Sequence, residues 1–189
     1  FITDENGQPQ PFDASGMIES GSITFDMKVT SAPDDGSASW LFKVESDRAA
    51  TFAELPITES AEGAAPVVGE WQTYTFPLQQ LVDAGLEPSA IDAFMVFPSW
   101  GLGAGAEYLM TNVEITSPEA GSPELVLFDD QQNPEWPLWD CCAGSSPQEV
   151  VDEERGVVGE FEIGSTPTVV AFKPADGSGI QFDASALLV

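Results

Sequence analysis

The chemistry available to this chain is set first by what it lacks. There is no histidine among its 189 residues, and its only two cysteines are adjacent. Without an imidazole, Ser-His-Asp and Cys-His arrangements cannot be assembled, and most transition-metal sites lose their commonest ligand. What remains is tryptophan and carboxylate. The densest such stretch is residues 133–142, Asn-Pro-Glu-Trp-Pro-Leu-Trp-Asp-Cys-Cys, with two of the five tryptophans, two prolines and both cysteines. Pro134 and Pro137 fix φ and remove two backbone donors, which predicts a stiff loop, neither helix interior nor central strand. That loop presents Trp136, Trp139, Asp140 and the cysteine pair. Two roles are open for the indoles: plugs at the end of a hydrophobic core, the commoner fate of large aromatic side chains, or an outward platform on which a sugar ring stacks.

Cys141 and Cys142 have Cα atoms one peptide apart, about 3.8 Å, shorter than the usual disulfide span. A bond between them closes a strained ring that persists only with structural support and an oxidising compartment. The alternative is two free buried thiols. Because the chain otherwise reads as extracellular, the vicinal disulfide is the expectation.

Trp100 lies in a glycine-rich loop, residues 98–105, and is the aromatic residue least explained by packing. Trp40 and Trp71 lie on alternating segments and are expected in the core. If the first two strands are neighbours, Asp26, Lys28, Lys43 and Glu45 share one polar face, and Asp26, Lys43 and Glu45 become candidates for binding sugar hydroxyls. Asp129, Asp130 and Asn133 are hard-oxygen candidates for Ca²⁺, although no EF-hand spacing is present and an acidic turn needs no metal. Asp152-Glu153-Glu154, beside Arg155, is the most acidic run. A retaining glycosidase needs two carboxyls about 5 Å apart inside a cleft. A run on a turn is more often a solvated surface, so catalysis is not expected.

The formal net charge is −27, with only five basic residues. Five cations cannot build a phosphate-binding surface, which argues against nucleic acid, and likewise against anionic membranes and anionic polysaccharides. Neutral glycans and divalent cations remain as partners, and the acidity suits a protein kept soluble in salty water. No window has the length of a transmembrane helix and no signal peptide is present, so membrane insertion is not expected. The first residue is Phe1, as in a mature or excised segment.

The elements that must position these residues are strands. Residues 22–29 alternate Ile23, Phe25, Met27 and Val29 against Thr24, Asp26 and Lys28, as a half-buried strand does. Residues 39–45 alternate Trp40, Phe42 and Val44 against Leu41, Lys43 and Glu45. Further strands are predicted at 51–57, 70–76, 91–97, 108–115, 125–128, 149–152, 157–163 and 168–172, with one helical turn at 78–82 closed by Gly85. Many short strands, regular turn residues and almost no helical periodicity indicate an all-β sandwich.

Phe12-Asp13-Ala14-Ser15 recurs as Phe182-Asp183-Ala184-Ser185, about 170 residues later. This suggests a tandem array cut so that both ends carry the same landmark. Read in that register, the chain resembles the galactose-binding-like β-sandwich (jelly roll) at the C-terminus of marine family 3 exo-β-glucanases, also appended to other marine polysaccharide-degrading enzymes. The resemblance rests on residues 128–133, 136–142, 182–185, 40–46, 71–78 and 108–115, with 136–142 the most specific. The order is reversed: residues 1–118 correspond to the C-terminal half of a module, 119–124 to a linker and 125–189 to the N-terminal half. The expectation is one sandwich, completed within the chain by pairing of residues 125–128 with 108–115, or else by exchange between chains. The resemblance implies non-catalytic glycan binding; the expectation is a secreted module for a neutral marine glycan, β-glucan or galactan, with Trp100, Trp136 and Trp139, picked out by their own positions in the sequence, as the stacking candidates. The alternative is a structural repeat of a surface adhesin or extracellular filament, partnered by neighbouring copies of itself.

Overall fold

A computed structural model describes residues 11–119, 124–141, 147–164 and 169–174. The first strand, β1 (Ser22–Ser31), sends Ile23, Phe25, Met27 and Val29 inward, as its alternation requires. β2 (Trp40–Ser46) does the same with Trp40, Phe42 and Val44. They are followed by β3 (Thr51–Pro56), β4 (Trp71–Pro77), the short helix α1 (Leu78–Asp83), β5 (Ile91–Pro98) and β6 (Glu107–Thr116). The remaining strands are β7 (Leu125–Phe128), β8 (Leu138–Cys141), β9 (Gln148–Asp152), β10 (Gly156–Glu162) and β11 (Val169–Phe172). Helix α1 ends where Gly85 takes a φ of +114°, a conformation that favours glycine.

The strands form two antiparallel sheets. One has the order β4-β1-β6-β10-β9, with β7 also paired to β6; the other has the order β3-β2-β5-β11-β8. Between them lies an aromatic core. Phe25 and Phe76 from the first sheet meet Phe42 from the second, with the Phe42 and Phe76 rings stacked at 4.2 Å and Phe25 at 5.6 Å from Phe42. Phe94 and Phe172, on neighbouring strands of the second sheet, extend the core at 5.8 Å. Burying this many large apolar side chains supplies the main favourable term of folding, at roughly 25 cal/mol per Å².

Strands from after residue 124 are built into both sheets of the same chain. β7 pairs with β6 through Val113–Phe128 and Ile115–Leu125, β10 also pairs with β6, and β11 pairs with β5. The Phe12-Asp13-Ala14-Ser15 motif has a local structural use: Phe12 and Ile91 exchange backbone hydrogen bonds of 2.7 and 2.9 Å, and the Asp13 carboxylate accepts from the Ser15 N–H at 2.9 Å. Its second copy, residues 182–185, lies outside the described residues.

Two expectations change. Residues 133–142 are not loop throughout, because 138–141 form β8. Among the described residues this strand pairs only with β11, at the edge of its sheet, and Pro137 sits immediately before it. An edge position is where an adjacent proline costs no ladder hydrogen bond. Second, β1 and β2 are consecutive in sequence but lie in different sheets. Each points its apolar residues into the shared core from its own side, so their polar faces look in opposite directions.

Candidate functional site

β2 directs Leu41, Lys43 and Glu45 to the outer face of the second sheet. Across the ladder Lys43 stands opposite Glu54 of β3 and Met95 of β5, and Glu45 stands opposite Phe52 and Ala93. Lys43 Nζ lies 2.9 Å from Glu45 Oε1, and the two side chains are only 8% and 3% exposed. The same ammonium is 4.7 Å from the centroid of Phe52 and 5.5 Å from that of Trp100. Trp100 rests against Phe97 at 4.5 Å and donates its indole N–H to both oxygens of Glu54, at 3.2 and 3.1 Å. Phe52 is 49% exposed and Trp100 36%.

The loop carrying Trp100 is anchored on both sides. Ser99 donates its backbone N–H to the Ser39 carbonyl at 2.7 Å, and the Ser99 hydroxyl accepts from the Ser39 N–H at 2.8 Å. Farther along, Gly105 has a φ of +80°, and a Cβ there would come within 2.7 Å of Asp34 Oδ1. That close approach fastens the loop to the β1–β2 turn, together with a 2.8 Å bond from the Asp34 N–H to the Ala104 carbonyl. Trp100 is therefore an exposed ring held on a braced support.

The arrangement offers two exposed aromatic rings around one ammonium, with carboxylates alongside. Aromatic faces accept the C–H-rich face of a pyranose, and fixed charged groups bond its hydroxyls. Removing an ion pair from water is costly unless its geometry and further contacts compensate. At Lys43 the compensating contacts are Glu45 and the two rings.

The other residues singled out in the sequence are dispersed. Trp139 is on the same sheet face but on β8, at the far edge. There it packs on the small apolar patch of Ala93, Met95, Phe97 and Ala171, with Lys173 Nζ 5.0 Å from its ring centroid. Trp136 is 3% exposed and belongs to the main core. Of its two possible roles it takes the plug, so it offers no stacking face. Trp40 is in the core as expected. Trp71 is not: it is half-buried on the outer face of the first sheet, because Tyr74 and Phe76 take the inward positions of β4. Asp26 lies on that same outer face, away from Lys43 and Glu45. It accepts hydrogen bonds from Thr73 Oγ1 at 2.5 Å and Asn112 Nδ2 at 2.8 Å, and pairs with Arg155 Nη1 at 3.2 Å.

Asp129 and Asp130 are exposed, while the Asn133 amide serves its own turn, donating to the Val126 carbonyl at 2.9 Å and accepting from the Glu135 N–H at 2.9 Å. Among the described residues no three His, Cys, Asp or Glu side chains gather in a metal-holding group. Asp152 begins a hairpin turn, accepting from the Glu154 and Arg155 N–H groups at 2.9 and 3.0 Å. Cys141 contributes its backbone to β8; Cys142, and with it the question of a bond between the two, lies outside the described residues.

Phe52 and Glu54 were not singled out by sequence reasoning. Their alternation with Ala53 and Leu55 was available as a signal, but only the β2–β3 register brings them beside Lys43. Comparison with protein-family models, curated proteins and solved structures gives no match.

Proposed function

We propose that the protein is a non-catalytic extracellular carbohydrate-binding module of galactose-binding-like, jelly-roll type, taking a neutral polysaccharide such as a β-glucan or galactan. The observation that carries this reading is the pair of exposed rings, Trp100 and Phe52, around Lys43 and beside Glu54. A neutral ligand suits the charge pattern. Four of the five cations, Lys28, Lys43, Arg155 and Lys173, lie within 6 Å of an aromatic centroid. Three of these, Lys28, Lys43 and Arg155, are also paired with carboxylates. An anionic chain would find little unspent positive charge on a protein of net charge −27. The pairing of β7 with β6 of its own chain supports completion of the sandwich within the chain over a filament built by half-module exchange.

The test is affinity electrophoresis through gels containing laminarin or agarose, with Trp100→Ala and Phe52→Ala alongside. Retardation of the parent chain that both substitutions weaken supports the reading. No retardation in either gel, or retardation unchanged by both substitutions, removes it.

A further inference from the structure

Residues 12–18 fill a socket beside the start of β5. Phe12, Ala14 and Met17 are buried in the main core, while Asp13, Ser15 and Gly16 are exposed. The segment is held by the two backbone bonds between Phe12 and Ile91 and by the Ala14 N–H, which donates to the Pro88 carbonyl at 2.9 Å. The Asp13 carboxylate turns the chain by accepting from the Ser15 N–H and hydroxyl at 2.9 and 2.6 Å. One turn of 3₁₀ helix, Ser15–Met17, then sets Met17 into the core. Residues 182–188, Phe-Asp-Ala-Ser-Ala-Leu-Leu, repeat residues 12–18, Phe-Asp-Ala-Ser-Gly-Met-Ile. Every residue that bonds or turns in the socket is kept, and the differences fall where the structure accepts them. Gly16 has no positive φ, and a Cβ there would meet nothing within 4 Å, so the position takes the alanine of the second copy. Leucine in place of Met17 conserves core volume. Ile18 is half-buried, and leucine there is equally apolar.

The socket also lies where β11 is heading. Ile91 pairs with Ser46 of β2 on one side and with Phe12 on the other. Farther along β5, Phe94 pairs with Val44 of β2 and, on the opposite side, with Phe172 of β11. Phe12 therefore stands on the line of β11, and both run antiparallel to β5. The chain leaving β11 at Phe172 approaches the socket in the direction in which residues 12–14 cross it. From Phe94 to Ile91 is about 10 Å along an extended strand. Residues 173–181, which separate Phe172 from Phe182, can span about 30 Å.

We infer that the socket is a docking site for two segments of the same chain, with residues 182–188 exchanging for residues 12–18. Docking of a tethered segment is intramolecular, which favours the chain's own second copy over that of another molecule. Two effects oppose each other in the exchange. The first copy has the shorter tether, residues 19–21 before β1, and so the higher effective concentration. The second copy carries alanine where the first carries Gly16, and so loses less conformational freedom on docking. Whichever copy is displaced leaves the body still joined to β1 or to β11.

The test is urea denaturation of the full chain carrying Phe12→Asp, Phe182→Asp or both. A carboxylate does not enter an apolar socket, so each change removes one occupant. The expected result is redundancy: each single variant folds with a small fall in its midpoint, and the double variant loses more than the sum of the two. A double loss no greater than that sum overturns the proposal, as does a Phe12→Asp chain that fails to fold. Hydrogen exchange gives a direct readout. In Phe12→Asp the Ala184 amide should gain the protection that the Ala14 amide has in the parent, and an unprotected Ala184 overturns the proposal. Phe12→Asp should also sediment as a monomer at every concentration. Concentration-dependent association places the second copy in a neighbour's socket and overturns exchange within the chain. Gly16→Ala/Met17→Leu/Ile18→Leu writes the second copy into the first and should keep or raise the midpoint; a clear fall shows that the second sequence does not fit. No polysaccharide enters these measurements, so they are independent of the Trp100 site.

Discussion

Trp71 and Asp152 stand on β4 and β9, the first and last strands in the order of one sheet, yet the Trp71 indole N–H donates to Asp152 Oδ1 at 3.3 Å. The reason lies in β6. Its first residues pair with β10, its last pair with β7, and Asn112 between them has a φ of +51°. The tip of the β9–β10 hairpin cannot continue alongside β6 and projects over the sheet. There Lys28 Nζ is 3.5 Å from Asp152 and 3.3 Å from Glu154, and Lys28 and Arg155 lie 5.8 and 5.5 Å from the Trp71 centroid. Burial pushes the Asp152 carboxyl up, but bonds from the Glu154 N–H and Trp71, the Lys28 charge and the Arg155 N–H outweigh it and hold it below its ordinary range. The group is a clasp tying the hairpin to the sheet.

Trp71→Phe keeps the ring and removes the donor, so it should cost about 1 kcal/mol, as for one hydrogen bond to a charged acceptor at long distance. Urea denaturation of Trp71→Phe, Asp152→Ala and the double variant measures the coupling. Strictly additive effects would remove the clasp.

Trp100 and Trp136 should separate binding from stability. Trp100→Ala is expected to weaken polysaccharide binding by roughly 1–3 kcal/mol, taking base–aromatic stacking as the nearest analogue, with little change in Tm. Trp136→Ala empties a core position and should cost about 3–5 kcal/mol of stability. A Tm loss at Trp100 as large as that at Trp136 would make Trp100 a packing residue.

Stability should peak in mildly acidic solution. Burial first, then neighbouring carboxylates, raises the pKa values of Asp92 and Glu114; for Asp92 the Arg48 N–H offsets part of the rise. A carboxyl raised on folding binds more protons in the folded state. Its cost is present at neutral pH and is removed as pH falls through the folded pKa to the unfolded values of 3.8 and 4.5. Asp13 and Asp35 are lowered by bonds from Ser15 and Ser37, and Asp152 is lowered as described. Their contribution is full above the unfolded value of 3.8 and is lost as pH falls through the lower folded values. Tm measured from pH 3 to 8 at constant ionic strength should rise on acidification from 7, then fall below about 4. A steady decline from pH 7 to 4 contradicts this balance.

Tyr74→Phe should be neutral or stabilising by up to about 1 kcal/mol. The Tyr108 hydroxyl donates to the Val96 carbonyl, but the Tyr74 hydroxyl is enclosed without a partner among the described residues. Burial, with help from Glu62, pushes its pKa up to about 12. A loss above 1 kcal/mol on chemical denaturation would mean that the hydroxyl has a use.

Alternation alone located most of the strands. Ile23, Phe25, Met27 and Val29 had to share a face, because the two-residue period of extended chain puts alternate residues on one side, whereas the run 125–128 has no alternation and was legible only as a short apolar segment running into Asp129-Asp130. The charge and the missing histidine likewise set which chemistries were open. Alternation says nothing about which sheet a strand joins. Asp26 and Lys43 have the same polar parity and ended on opposite sides of the molecule, because β1 and β2 approach one core from two directions. In residues 70–76 both parities carry aromatic residues, so only packing of Tyr74 and Phe76 decided that Trp71 faces outward. Phe52 and Glu54 reached Trp100 and Lys43 through the register of β3 on β2, a long-range hydrogen-bond choice that no local pattern encodes.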